Sequence, residues 1–561
     1  MEFHSRRSPV LSLRGLCAAS QPLASQAGIQ VLTAGGTAVD AAVAVAATLA
    51  VTEPCSTGIG GDALLLYFDA KEKKVSALLG CGRSPAALTL EAVQRAGLKE
   101  LAPASPLTVT VPGAPALWCD AIDRFSSGSV PIRSVLDPAI QLAEFGFPVS
   151  PLTALQWRSS VDLLKRSPGG SALLVERCRA PRAGEVFRNP GLGRALRLIA
   201  ERGKAGFYEG PVADAIVSSL ASVPMLHEDL RSHRTEEAEP LQAEYRGVRI
   251  YEMPPPTQGL ATLIALKILD GIDLESLHTA GQDAALLDAL IRAMRVGFLV
   301  ADTYIADRSH APDSCRCCGQ VDCGAVCRLF TDDSMRTWRR IFREGRAQLS
   351  QQSSSAAGFA GSDTVQFCVV DEQGNACSFV NSTCKGFGTG IVPEGFGFSL
   401  QNRGLGFSLD SRSPNVLGPC RRPYHTLMPG MAVHASSGCL FSAFGVMGGM
   451  MQPQGHLQVI VNMMDRKMDA QAALDAPRFF IESRNFRPEN IAHAPLLLEQ
   501  GILPHVASEL QHLGHPIKMS DVRGPARMAF GRGQVIMRDA DAGVFWGGSD
   551  PRADGCAIAQ V

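Results

Sequence analysis

Apolar residues along this chain follow two periods, broken by one long stretch that has neither. Pro22–Thr33 and Ala38–Thr52 read as consecutive helices, and Leu286–Val300 and Gln454–Lys467 repeat their apolar positions at helical spacing. Ala63–Asp69 with Val75–Leu79 reads as a strand hairpin. A second hairpin follows further on: Val365–Val370 as a buried strand, Glu372–Asn375 as the loop, Ala376–Asn381 as the returning strand. Residues 346–362 are small or polar and carry no period. There is no internal repeat and no obvious domain linker. Periodicity alone therefore predicts a mixed fold, α/β or α+β.

The break before Thr364 is the most telling feature. A polar tether that ends on Thr and leads straight into a buried strand suggests a chain cut between Asp363 and Thr364. The new terminal Thr would hold a nucleophile and its own base on one residue, because a free α-amino group titrates at about 7.7–8.0. Processing would leave a larger piece, 1–363, and a smaller one, 364–561, co-folded as one body.

Composition narrows the classes. With 46% hydrophobic and 19% charged residues, the 561-residue chain has ample material for a large core. A formal net charge of −1 gives no reason to expect nucleic acid or a membrane surface as partner. The longest apolar tract, Ala41–Val51, is too short to span a bilayer core of ~30 Å. The first twenty residues contain Arg6, Arg7 and Arg14 but no uninterrupted apolar core, so no secretory leader is read and a cytoplasmic location is expected. Sixteen cysteines in such a chain are expected as reduced thiols. Five crowd together at Cys315, Cys317, Cys318, Cys323 and Cys327. Cys315/Cys318 with Cys323/Cys327 could supply four zinc ligands, although the loop between the pairs is very short. A divergent surface loop is the favoured reading, and no metal or cofactor is expected.

Several segments, in order, carry a family likeness. They are Ala19–Ser25, Val31–Ala44, Cys81–Ala86, Val111–Gly113, Tyr245–Pro256, Asp363–Asp371, Ser382–Gly395, Arg421–Thr426, Phe444–Gly449 and Gly547–Gly555. Together they resemble the gamma-glutamyltransferase family of N-terminal-nucleophile hydrolases, and within it the leaderless, acylase-like branch of glutathione hydrolase-like proenzymes. Only residues 310–360 or so fall outside the likeness. The resemblance implies an α+β fold, a four-layered αββα sandwich, with Thr364 as nucleophile both for self-cleavage and for attack on an amide substrate. It implies that Ser382 hydrogen-bonds the nucleophile's oxygen and that Gly448 and Gly449 form the oxyanion hole. Two glycines before a helix also suit that role physically, since backbone N–H groups then meet the developing charge with no Cβ in the way. Arg83 falls where the family grips the substrate's α-carboxylate, a task suited to the guanidinium fork.

The departures from the family pattern concern the substrate's amino group. The acidic residue that holds the α-ammonium in transpeptidase members corresponds to Gly406, its amide neighbour to Arg403, and a contacting Asn to Cys384. Two serines that support carboxylate binding correspond to His425 and Thr426, which could still donate hydrogen bonds, and His425 could carry charge near pH 6.5. An ammonium with no carboxylate partner would bind poorly. The leading expectation is an autoprocessed amidohydrolase acting on γ-glutamyl amides such as glutathione, or on glutaryl-like amides without the ammonium. Transfer to an amino-acid acceptor and a non-catalytic binding relative are the alternatives. The expected partners are a small-molecule amide and the two subunits of one precursor, with the number of heterodimers left open.

Overall fold

The computed structural model describes residues 7–221, 223, 225–279, 283–307, 328–348, 364–482 and 494–561. Among them, two seven-stranded sheets dominate. The first runs in spatial order Cys556–Ala559, Leu16–Ala19, Val365–Val370, Ala376–Ser382, Asp62–Asp69, Lys74–Gly80, Glu236–Ala238. The second runs Val10–Ser12, Val544–Ser549, Arg532–Asp539, Leu440–Met447, Gly430–His434, Val248–Glu252, Leu241–Tyr245. Every pairing in both is antiparallel.

The apolar side chains sort into three large clusters. One joins Leu64, Leu66, Cys368 and Val370 of the first sheet to Met431, Ala443 and Ile536 of the second. Another joins Leu65, Phe367 and Phe379, on the opposite face of the first sheet, to helices Pro22–Thr33, Ala38–Thr52, Ala114–Phe125 and Ile132–Phe145. The third joins Ile250, Phe444 and Val535 of the second sheet to helices Gly259–Leu269, Asp283–Tyr304 and Met451–Met464. Strands buried on both faces explain why Val365–Val370 does not alternate apolar with polar positions: only Gln366, itself buried, interrupts the apolar run.

Helix Ala38–Thr52 is buried over its whole length. Its Ala-rich sequence allows close approach by helix Pro22–Thr33, and Asp40 caps it by accepting the Thr37 N–H at 2.8 Å. The Ala38 N–H also donates to Asp371 Oδ2, 2.9 Å away at the tip of the hairpin that carries Thr364. That tip is closed by Asp371 and Asn375, with Gly374 at φ +86°, where a side chain would strain the backbone. The strand that follows Thr364 is thus anchored at its far end.

Boundaries follow the sequence reading closely at Pro22–Thr33, Ala38–Thr52 and Val365–Val370. The helix expected over Gln454–Lys467 instead spans Met451–Met464. Pro453 falls in its first turn, where no N–H is needed, and Lys467 sits at φ +53°, outside helical space. Cys315, Cys317, Cys318, Cys323 and Cys327, with their possible zinc site, lie outside the described residues, as does Asp363. Among the described residues no helix is long and apolar enough to cross a membrane.

Candidate active site

Strand register brings the two hydroxyls together. Val365 pairs with Asn381, so Thr364 stands opposite Ser382, and Ser382 in turn pairs with Asp62 on the next strand. Thr364 Oγ1 lies 2.9 Å from Ser382 Oγ, and both residues are fully buried. Gly61 lets the neighbouring chain pass the Ser382 carbonyl: a Cβ there would lie 2.2 Å from that oxygen. Ser382 Oγ also accepts the Cys384 N–H at 2.8 Å and an Arg403 guanidinium N–H at 3.3 Å. The second terminal nitrogen of Arg403 donates to Thr426 Oγ1 at 2.9 Å.

A chain of contacts links this pair to the glycine turn. Gln258 Nε2 donates to the carbonyls of both Thr426 and Gly449, each at 2.9 Å, and Tyr424 Oη donates to Gln258 Oε1. Gly448 and Gly449 have φ of +140° and +58°, and helix Met451–Met464 begins immediately after them. Among the described residues neither glycine's N–H is taken up by a hydrogen bond. Two free N–H groups at a helix start can receive negative charge.

Beneath Thr364 lies a second buried group. Arg532 reaches the Thr364 carbonyl at 3.4 Å, while its Nε lies 3.3 Å from Met447 Sδ, next to the glycine turn. Glu53 neutralises it at 2.9 Å and accepts from Ser20 and Ser56 at 2.7 and 2.8 Å.

Asp62 is the third anchor. Its Oδ1 accepts from the Gly82 N–H, the Gly113 N–H and Gln401 Nε2 at 3.0, 3.2 and 2.9 Å, and its Oδ2 faces His425 Nε2 at 3.0 Å. Burial works against the carboxylate, but the His425 contact, the Arg403 charge and Gln401 outweigh it and hold Asp62 below the ordinary carboxylate range. His425 is held neutral. Burial, reinforced by the Arg403 charge, pushes it down to about 4, so the charge that sequence allows near pH 6.5 is withheld. Its Nδ1 accepts the Leu427 N–H at 3.3 Å, which fixes the proton on Nε2, facing Asp62.

The remaining candidates are placed as follows. Arg83 is about a quarter exposed and bonds Asp307 at 2.8 Å and Glu236 at 2.9 Å, with a further bond to the Cys420 carbonyl. Arg422 shares both carboxylates. Gly406 lies under the Tyr424 carbonyl, 2.4 Å from where a Cβ would stand. Cys384 is half-buried, at φ +82°. Sequence reasoning missed Asp62, Gln401, Glu53, Arg532 and Gln258. A buried acid opening a strand after T-G-I-G-G (Thr57–Gly61) was the available signal for Asp62.

Paired buried hydroxyls, linked through Arg403, Thr426 and Gln258 to a glycine turn whose N–H groups are not taken up among the described residues, suit acyl-group hydrolysis, and the likenesses of the whole chain agree. The gamma-glutamyltranspeptidase family model matches residues 24–560, and the chain belongs to that family. It is 32% identical over 553 residues to the glutathione hydrolase-like YwrD proenzyme of Bacillus subtilis, covering 98% of this chain and 99% of that one. The oxamate amidohydrolase proenzyme of Klebsiella pneumoniae is 31% identical over 98% of each chain. Among solved structures, cephalosporin acylase from Bacillus halodurans is similar with a TM-score of 0.86 and 37% identity, over 100% of this chain and 98% of that one. The protein is a hydrolase with a mixed helix-and-sheet fold.

Proposed function

We propose that the chain is an autoprocessed amidohydrolase in which Thr364 first cuts its own precursor and then hydrolyses amides of carboxylate-bearing acyl groups. The contact between Thr364 Oγ1 and Ser382 Oγ, at the N-terminal end of a buried strand, is the observation that carries this reading. In maturation the Thr364 oxygen bonds to the Asp363 carbonyl carbon, the peptide C–N bond breaks, and water hydrolyses the resulting ester. The freed α-amine, a group that ordinarily titrates at about 7.7–8.0, then takes the Thr364 hydroxyl proton in each later attack. Gly448 and Gly449 donate to the oxyanion, the amine of the substrate departs, and water releases the acid from the acyl-enzyme. The relatives named as glutathione hydrolase-like, amidohydrolase and acylase support this chemistry. The two sheets and their flanking helices, with apolar clusters between successive layers, support a four-layered αββα sandwich around it.

The test is an acyl-enzyme. Acid-quenching the enzyme during turnover of a glutaryl or γ-glutamyl anilide should add the mass of that acyl group to a fragment beginning at Thr364. Turnover with no such adduct, and undiminished in Thr364→Ala, would exclude the mechanism.

A further inference from the structure

Arg403 is a buried cation without a counter-ion in contact. It is 1% exposed, and among the described residues no carboxylate lies within ion-pair distance of it. Its terminal nitrogens go to two neutral hydroxyls, on Ser382 and Thr426, and its Nε has no partner. A guanidinium removed from water and left unpaired is costly, so the site favours a ligand that supplies the missing anion.

Asp62, whose carboxylate feels the Arg403 charge, does not fill that place. The carboxylate of Asp62 is spent on the Gly82 and Gly113 N–H groups, Gln401 and His425. Nor can position 406 provide one, because the Tyr424 carbonyl occupies the space of its Cβ. Meanwhile Arg83, where the family grips a carboxylate, already bonds Asp307 and Glu236.

We propose that Arg403, rather than Arg83, receives the substrate's carboxylate, and that the enzyme selects amides of short dicarboxylic acids lacking an α-ammonium group. This rests on the amidohydrolase reading above and specifies its substrate. Arg403 and Thr364 contact the same atom, Ser382 Oγ, at 3.3 and 2.9 Å. A carboxylate seated on Arg403 is therefore only a few bonds from the scissile carbonyl, which suits malonyl, succinyl or glutaryl groups and no long chain. The same cation repels an α-ammonium, so γ-glutamyl amides are the poorer substrates.

The experiment compares glutaryl p-nitroanilide, its monomethyl ester and γ-glutamyl p-nitroanilide on processed wild type, Arg403→Met, Arg403→Lys and Arg83→Met. Wild type should favour the free carboxylate over the ester by about a hundredfold in kcat/KM, and over the γ-glutamyl compound as well. Arg403→Met should bring the carboxylate-to-ester ratio near one, Arg403→Lys should restore part of it, and Arg83→Met should leave it intact. Because the readout is a ratio on one enzyme, a general loss of activity does not mimic it. The proposal falls if Arg83→Met erases the preference, if Arg403→Met keeps it, or if wild type has none. Should Arg403→Met stay unprocessed, wild type and Arg83→Met decide by the same ratio. A wild type that splits and hydrolyses amides without charge preference refutes this proposal alone, whereas one that never splits refutes the underlying mechanism.

Discussion

Acidification should load onto the unfolded chain a proton that His425 refuses while folded. Its ring is fully buried between Asp62 and the Leu427 N–H, and burial, with the Arg403 charge, pushes its pKa down to about 4 from 6.5. Between these values the unfolded state binds more protons than the native state, so stability rises with pH across the window and is lost as pH falls from 6.5 toward 4. At about 1.4 kcal/mol per pH unit, His425 contributes roughly 3 kcal/mol over the full window and about 2 kcal/mol between pH 7 and pH 5. Asp62, held below its ordinary range, stays ionised throughout. Other buried groups titrate too: His233, pushed down to about 4, has the same sign, while Glu252 and Asp371, raised by burial, have the opposite one. The readout is therefore the difference between wild type and His425→Gln, whose amide can still donate to Asp62. Urea unfolding followed by tryptophan fluorescence at pH 7 and pH 5 should show wild type losing about 2 kcal/mol more than the variant. Equal losses would refute the buried, neutral His425.

Three other substitutions probe the site's supports. Ser382→Ala removes the hydroxyl shared by Thr364 and Arg403 and should lower kcat at least ~10-fold, with little change in KM, in steady-state assays. Glu53→Ala strands buried Arg532 and should cost about 3–5 kcal/mol by urea unfolding while slowing self-cleavage, with Glu53→Gln milder on both counts. Gly406→Asp drives a Cβ against the Tyr424 carbonyl and should lower the melting temperature, at a cost of about 1–3 kcal/mol, without creating γ-glutamyl preference.

What the sequence made legible was local. Helix Ala38–Thr52 and strand Val365–Val370 announce themselves because every contact that defines their period lies within a few residues. The pairing of Thr364 with Ser382 was within reach for the same reason, since a tight hairpin joins their strands. The groups that hold the site could not be read this way. Asp62 meets His425 across 363 positions and Glu53 meets Arg532 across 479, so no spacing rule connects them. Arg403 was visible as a departure from the family pattern, but that no counter-ion meets it among the described residues became apparent only when its neighbours were known. The ion pairs of Arg83 were hidden for the same reason, because Glu236 and Asp307 lie far along the chain.

Whether Thr364 is the nucleophile is tested most directly by intact mass spectrometry of purified wild type beside Thr364→Ala. The account predicts two wild-type fragments, the lighter beginning at Thr364, and a variant that remains one 561-residue chain. A folded wild type that stays whole, or a variant that splits at the same bond, would contradict it.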